Sequence, residues 1–228
     1  MTFYSWLALS NSPKWRVLSP RLFLVRHGET EWSRNGRHTG RTDICLTPHG
    51  EAQVRAQAAV LVGEGHPKNI CTAIVSPRIR AHRTFHLLFE HLPKFPDHQI
   101  TEDVREWDYG EYEGLVRQEI VVKKPWMGHL EIWVGESVEE MQTRVDRVIA
   151  KVRDYHRKWV EEGEGSRDVL IVAHGHFNRA MIARWNNFDL ALGNHFNVGP
   201  GGVAVMSYNH HSLDEPVLDA LNLYAHEA

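Results

Sequence analysis

Cysteine is nearly absent from this chain: of 228 residues only Cys45 and Cys71 carry thiols. Two cysteines without paired C-x-x-C spacing make neither a zinc site nor a disulfide scaffold, and they read as free thiols in a reducing compartment. No run approaches the ~20 consecutive apolar residues that a membrane-spanning helix needs. Residues 1–10 contain Trp6-Leu7-Ala8-Leu9 but no basic segment ahead of it, so they do not read as a secretory signal. The expected location is the cytoplasm, with no membrane partner. A dominant charge is lacking too: 26 Lys and Arg against 29 Asp and Glu leave a net charge of −3. That argues against a general nucleic-acid binder, and any anion must be held by a local cluster of cations. Internal repeats, low-complexity tracts and linkers are also missing.

What is present suits one globular domain with a continuous core: 42% of the residues are hydrophobic and 24% charged. Residues 1–20 read as an N-terminal extension rich in Trp and Ser, and residues 21–228 as the domain. Four short uninterrupted apolar runs read as strands buried on both faces: Arg21-Leu22-Phe23-Leu24-Val25, Ala73-Ile74-Val75, Asp168-Val169-Leu170-Ile171-Val172-Ala173 and Gly202-Val203-Ala204-Val205-Met206. Helices are expected between them. Thr47 as N-cap, Pro48 at the first position and Glu51 in the first turn open one that runs to about Val62 and stops at Gly63. Val138, Met141, Val145, Val148, Ile149 and Val152 have helical spacing after Glu136-Ser137. A third helix covers 177–185. The order β-α-β-α-β predicts a three-layer α/β/α fold around a mainly parallel sheet.

The chemistry gathers where the strands end. The first run leads into Arg26-His27-Gly28, the second into Ser76-Pro77-Arg78-Ile79-Arg80, the third into His174-Gly175-His176, and the fourth into His210-His211. In open α/β sheets, ligands bind beyond the carboxyl ends of the strands. One His after a strand is ordinarily a polar loop residue, and an Arg-rich turn ordinarily a solvated helix face. Two strand-terminal His-Gly pairs with an Arg-bearing turn point further, to a positive pocket suited to phosphate. To hydrolyse an ester, such a pocket needs a nucleophile, which a neutral imidazole can be. It needs guanidiniums on the equatorial oxygens. It also needs a protonated carboxyl for the leaving alkoxide. Glu106, beside Trp107 and Tyr109, offers the carboxyl, and desolvation among these rings is expected to raise its pKa.

With these residues assembled, the chain resembles the histidine phosphatase superfamily, phosphoglycerate-mutase-like branch, over about residues 22–216. The strings that carry the resemblance are Arg26-His27-Gly28-Glu29-Thr30-Glu31-Trp32, Thr39-Gly40, Leu46-Thr47-Pro48-His49-Gly50 and Ser76-Pro77-Arg78-Ile79-Arg80-Ala81. Arg105-Glu106 with Gly110 and Glu113-Gly114, and Ala173-His174-Gly175, complete the set. The resemblance implies that His27 is phosphorylated, that Arg26, Arg80 and His174 clamp the phosphoryl group, and that Glu106 is general acid and then general base. Ser33, Thr39, Gly40 and Gly175 would lie against the substrate; many relatives carry Asn at the position of Ser33.

Within the family, Glu113-Gly114 stands where mutases tend to carry Gln-Gly, which favours hydrolysis. Trp32-Ser33, the segment 105–114, His176 with Arg179, and Ser207-Tyr208-Asn209-His210-His211 resemble the fungal-type sedoheptulose-1,7-bisphosphatases. In those enzymes the residues matching Tyr109, His176, Arg179 and His210 are expected to face the sugar or its far phosphate. The short stretch 185–201 departs from that type, as does the extension. The expected activity is therefore hydrolysis of a small sugar phosphate ester, mono- or bis-, without metal or cofactor. The 16 His imply no metal, because His210-His211 lacks the paired spacing of a helix-borne site. Competing readings are a phosphoglycerate mutase and a non-catalytic phospho-ligand binder. A homo-oligomer contacting through the extension is left open.

Overall fold

In the computed structural model, residues 19–62, 69–123, 135–163 and 165–224 are described. Most of the extension, 1–18, and the expected helix stop at Gly63 lie outside them. The elements in chain order are β1 (Leu22–Arg26), α1 (Glu31–Arg34), α2 (Pro48–Leu61), β2 (Ile70–Val75), α3 (Ile79–Phe89), β3 (His98–Ile100), α4 (Arg117–Lys123), α5 (Val138–Glu162), β4 (Asp168–Ala173), α6 (Gly175–Trp185), β5 (Val203–Tyr208) and β6 (Pro216–Leu223). All four expected strands are present. The short edge strand β3 and the strand β6 were not anticipated; neither carries a continuous apolar run.

Local chemistry starts and stops the helices. The Thr47 hydroxyl accepts the Gly50 N–H, and Pro48 occupies the first turn of α2. The Ser137 and Glu140 side chains form a reciprocal capping box at the start of α5, and Gly163 ends it with φ 75°.

The strands form one six-stranded sheet in the order β3-β2-β4-β1-β5-β6. Strands β3, β2, β4 and β1 are mutually parallel. Alternate residues of each central strand serve opposite faces. Val169 and Ile171 pack with Met141, Val145 and Val152 of α5 and with Phe177 and Met181 of α6. Leu170 and Val172 pack with Val54 and Ala58 of α2 and with Phe85 and Leu88 of α3. Both faces are therefore covered, which explains why the strands read as unbroken apolar runs. Among the described residues no helix is long and apolar enough to cross a membrane, and both cysteines are free thiols.

One expectation fails on topology. The sequence suggests four strands ending at one edge, but β5 runs antiparallel to β1. Of the four expected strands, β1, β2 and β4 deliver their carboxyl ends together, and β5 does not. The exit of β5, carrying His210 and His211, lies at the opposite edge. Its entry, residues 198–202, reaches the functional edge instead, where Arg26 donates its backbone N–H to Gly202 O at 3.0 Å and Gly201 donates to His27 O at 2.9 Å.

Candidate active site

His27 follows directly from β1. Its backbone is held on both sides, the N–H donating to Ala173 O at 3.1 Å. The next residue, Gly28, donates to the Thr84 hydroxyl on α3 at 3.1 Å. The His27 side chain is buried, and Nδ1 lies 2.8 Å from its neighbour's carbonyl, Gly28 O. A carbonyl can only accept, so Nδ1 carries the proton and Nε2 keeps its lone pair. Burial first, then the positive charges of Arg80 and Arg26, hold the imidazole pKa well below its usual value. The ring is neutral at physiological pH, as an attacking nitrogen must be.

A cavity of about 150 Å³ opens beside this ring, bordered by Arg26, His27, Glu106, Tyr109, His176 and Arg179, with Ser33, Thr39 and Gly175 also on its wall. Arg26 donates from Nη1 to Val198 O at 2.8 Å. Burial lowers its pKa to about 10, which leaves it cationic at neutral pH. The Nε atoms of Arg26 and Arg179 are buried without a hydrogen-bond partner. Two guanidinium side chains on the wall beside a neutral imidazole suit an anion. Gly175 lies against Arg26, where an added Cβ would come within 3.2 Å of the guanidinium carbon.

Glu106 faces the same cavity. Its Oε1 accepts the Trp107 and Phe177 N–H groups, each at 2.9 Å, and Oε2 accepts the His176 N–H at 3.0 Å. Burial pushes the carboxyl pKa up. The His176 imidazole and the three backbone donors outweigh that, so the net shift is downward. This corrects the sequence expectation of a raised pKa. Aromatic neighbours were visible in the sequence; the N-terminus of α6, which solvates the anion with its first N–H groups, was not.

Burial raises the Tyr109 hydroxyl pKa well above its usual value, so it keeps its proton, and it lies in hydrogen-bond contact with His176 Nδ1 at 2.7 Å. Burial lowers the His176 pKa to about 4. Ser33 forms a capping box with Thr30 at the start of α1, and the Thr39 hydroxyl donates to Arg37 O at 3.2 Å.

Arg80 and His174 stand behind the wall. The ring centroids of His27 and His174 are 5.3 Å apart. Arg80 is fully buried and donates from Nε to His174 Nδ1 at 3.2 Å, from Nη1 to Thr42 O at 2.8 Å, and from Nη2 to Thr39 O and Gly40 O at 2.8 and 3.1 Å. A guanidinium only donates, so His174 Nδ1 accepts and Nε2–H donates to the Ser76 hydroxyl at 2.7 Å. Sequence reading assigned no role to Ser76, although it stands in the Arg80 motif. It likewise missed Arg37 and His38, which border the cavity just before Thr39-Gly40.

His210 is a second correction. It is exposed at the far edge of the sheet, has φ 49°, and pairs through Nδ1 with Glu215 at 2.6 Å. Among the described residues no group of three or more His, Cys, Asp or Glu is arranged to hold a metal ion.

Known proteins resemble this chain over most of its length. Residues 22–222 match the family described as Histidine phosphatase superfamily (branch 1). The chain is 34% identical to a sedoheptulose 1,7-bisphosphatase of Saccharomyces cerevisiae, covering 89% of this chain and 92% of that protein. It is 37% identical to an acid phosphatase of Mycobacterium tuberculosis, covering 85% and 89%. Among solved structures, an open-reading-frame product of Mycobacterium tuberculosis superposes with TM-score 0.76 at 35% identity, covering 90% and 97%.

Proposed function

This chain belongs to the histidine phosphatase superfamily, branch 1, and from that premise we propose that it hydrolyses a small sugar phosphate, mono- or bis-, through a phosphohistidine on His27. One observation carries the reading. His27 keeps a neutral Nε2 lone pair in a cavity that is also bordered by Glu106 and by the guanidinium side chains of Arg26 and Arg179.

In the first step Nε2 attacks phosphorus and the ester P–O bond breaks. The alkoxide leaves with the proton of Glu106. Arg26, with Arg80 and His174 behind it, stabilises charge on the phosphoryl oxygens. In the second step Glu106 takes a proton from water, the oxygen attacks phosphorus, the P–N bond breaks and inorganic phosphate leaves. The His176 imidazole, held by Tyr109, and the guanidinium of Arg179 face the sugar or a second anionic group, and Ser33, Thr39 and Gly40 flank it. The yeast bisphosphatase relative supports a sugar bisphosphate as the first substrate to try.

The test is phosphate release from a panel of sugar mono- and bisphosphates, sedoheptulose and fructose bisphosphates included, in EDTA. Turnover that persists in EDTA and vanishes in His27→Ala supports the reading. Activity abolished by EDTA, or unchanged in the variant, sinks it. Interconversion of 2- and 3-phosphoglycerate at a rate above hydrolysis would replace it with a mutase.

A further inference from the structure

Building on this reading, we propose that Glu113 is a positioning residue for the phosphoryl site, acting through the 39–42 loop on Arg80 and His174. Glu113 does not border the cavity. Its carboxylate grips the loop from behind: Oε1 accepts the Gly40 and Thr42 N–H groups, each at 3.0 Å, and Oε2 accepts the Gly40 N–H at 2.9 Å. The carbonyls of the same loop, Thr39 O, Gly40 O and Thr42 O, take three N–H groups of Arg80. The peptide unit between Thr39 and Gly40 spans the two charges directly, with its N–H on the carboxylate and its C=O on the guanidinium. Each charge polarises that peptide so as to strengthen the bond at its other end.

Two further features remove slack. A Cβ at Gly40 would lie 2.5 Å from Trp107 O and 2.9 Å from Glu113 Oε2, so only glycine permits this approach. Arg80, once its terminal nitrogens are fixed, presents Nε to His174 Nδ1 at 3.2 Å and thereby selects the Nε2–H tautomer. Orientation thus passes from Glu113 to the loop, to Arg80, and to the imidazole beside the nucleophile.

Replacing the carboxylate by a carboxamide isolates the effect. In Glu113→Gln one oxygen can still accept, but an NH2 group replaces the other and opposes the Gly40 N–H. The experiment measures kcat and KM on p-nitrophenyl phosphate, and the Kd of inorganic phosphate by calorimetry, in wild type, Glu113→Gln, Arg80→Lys and the double variant. The expected outcome for Glu113→Gln is a kcat lower by roughly 10–100-fold with KM within about threefold, and phosphate binding weaker by roughly tenfold. In the Arg80→Lys background the second change should cost less than about twofold, because the path through Arg80 is already broken. Full additivity of the two losses, or a Glu113→Gln enzyme equal to wild type, would overturn the proposal. If Glu113→Gln does not fold, Glu113→Asp, which keeps the charge and shortens the reach, takes its place in the same cycle. If wild type binds phosphate but turns over nothing, the hydrolase reading fails, and the four phosphate Kd values still decide the role of Glu113.

Discussion

The carboxylate of Glu106 accepts the Phe177 backbone N–H at 2.9 Å, so the acid–base group of the proposed reaction also satisfies first-turn N–H groups of α6. These two duties pull in opposite directions. A helix N-terminus favours the anion, while protonating an alkoxide needs the neutral acid. Glu106→Gln should therefore lower kcat by about 10²–10⁴-fold on alkyl phosphates. The loss should be much smaller on p-nitrophenyl phosphate, whose leaving group needs little protonation. Comparing the two substrates checks this; equal losses would remove Glu106 from the acid role.

The same relationship sets a pH dependence. The Glu106 carboxyl titrates below its usual value in the free site. The share of complexes with one proton available to the leaving group therefore falls as pH rises. For an alkyl phosphate, kcat/KM should increase steadily from pH 8 toward pH 5. His27 does not oppose this, because its own pKa is held well below the usual value. A profile that rises with pH across that span would contradict the assignment.

Stability should fall on acidification for a separate reason. Burial lowers the His156 and His176 pKa values to about 4, from an ordinary value of 6.5. Below pH 6.5 the unfolded chain takes up protons that the folded chain refuses until about pH 4. Stability is thus retained above pH 6.5 and is lost through that window, at up to ~1.4 kcal/mol per pH unit for each ring. Urea midpoints against pH measure the slope. His156→Gln should flatten it, since His156 is fully buried against the Tyr208 hydroxyl.

Asn222 should matter despite its distance from the chemistry. It sits in β6 with φ 56°, and its Oδ1 accepts the Gly199 N–H at 2.7 Å. Gln53 and Gln57 of α2 donate to Pro200 O and Gly201 O of the same turn. That turn holds Arg26 through Val198 O and His27 through the Gly201 N–H. Asn222→Leu places a branched side chain in a left-handed conformation and removes the acceptor, which should cost about 2–4 kcal/mol in thermal or urea unfolding. Asn222→Gly keeps the conformation and should cost clearly less.

His210 gives the opposite expectation. It lies at the far edge of the sheet in an exposed pair with Glu215. His210→Ala should leave kcat/KM within about twofold on every substrate that the protein hydrolyses. A selective loss on bisphosphates would show that the fourth strand end reaches the substrate after all.

The sequence by itself determined the α/β class, because strands covered on both faces must be largely apolar along their length, and the four runs around Val25, Ile74, Ile171 and Val205 are. It also made a phosphate reading available from Arg26, His27, Arg80, Glu106 and His174, since these residue types follow strands or share motif strings. Strand direction was beyond it. The run 202–206 is apolar whichever way it points, so only pairing with β1 reveals that His210 exits on the wrong side and that residues 198–202 enter on the right one. The ionisation of Glu106 was equally out of reach, because it is set by N–H groups of residues 176 and 177, seventy positions along the chain. Only the tertiary structure brings a helix N-terminus to that carboxylate, and a few ångströms of backbone there outweigh the aromatic neighbours that the sequence displays.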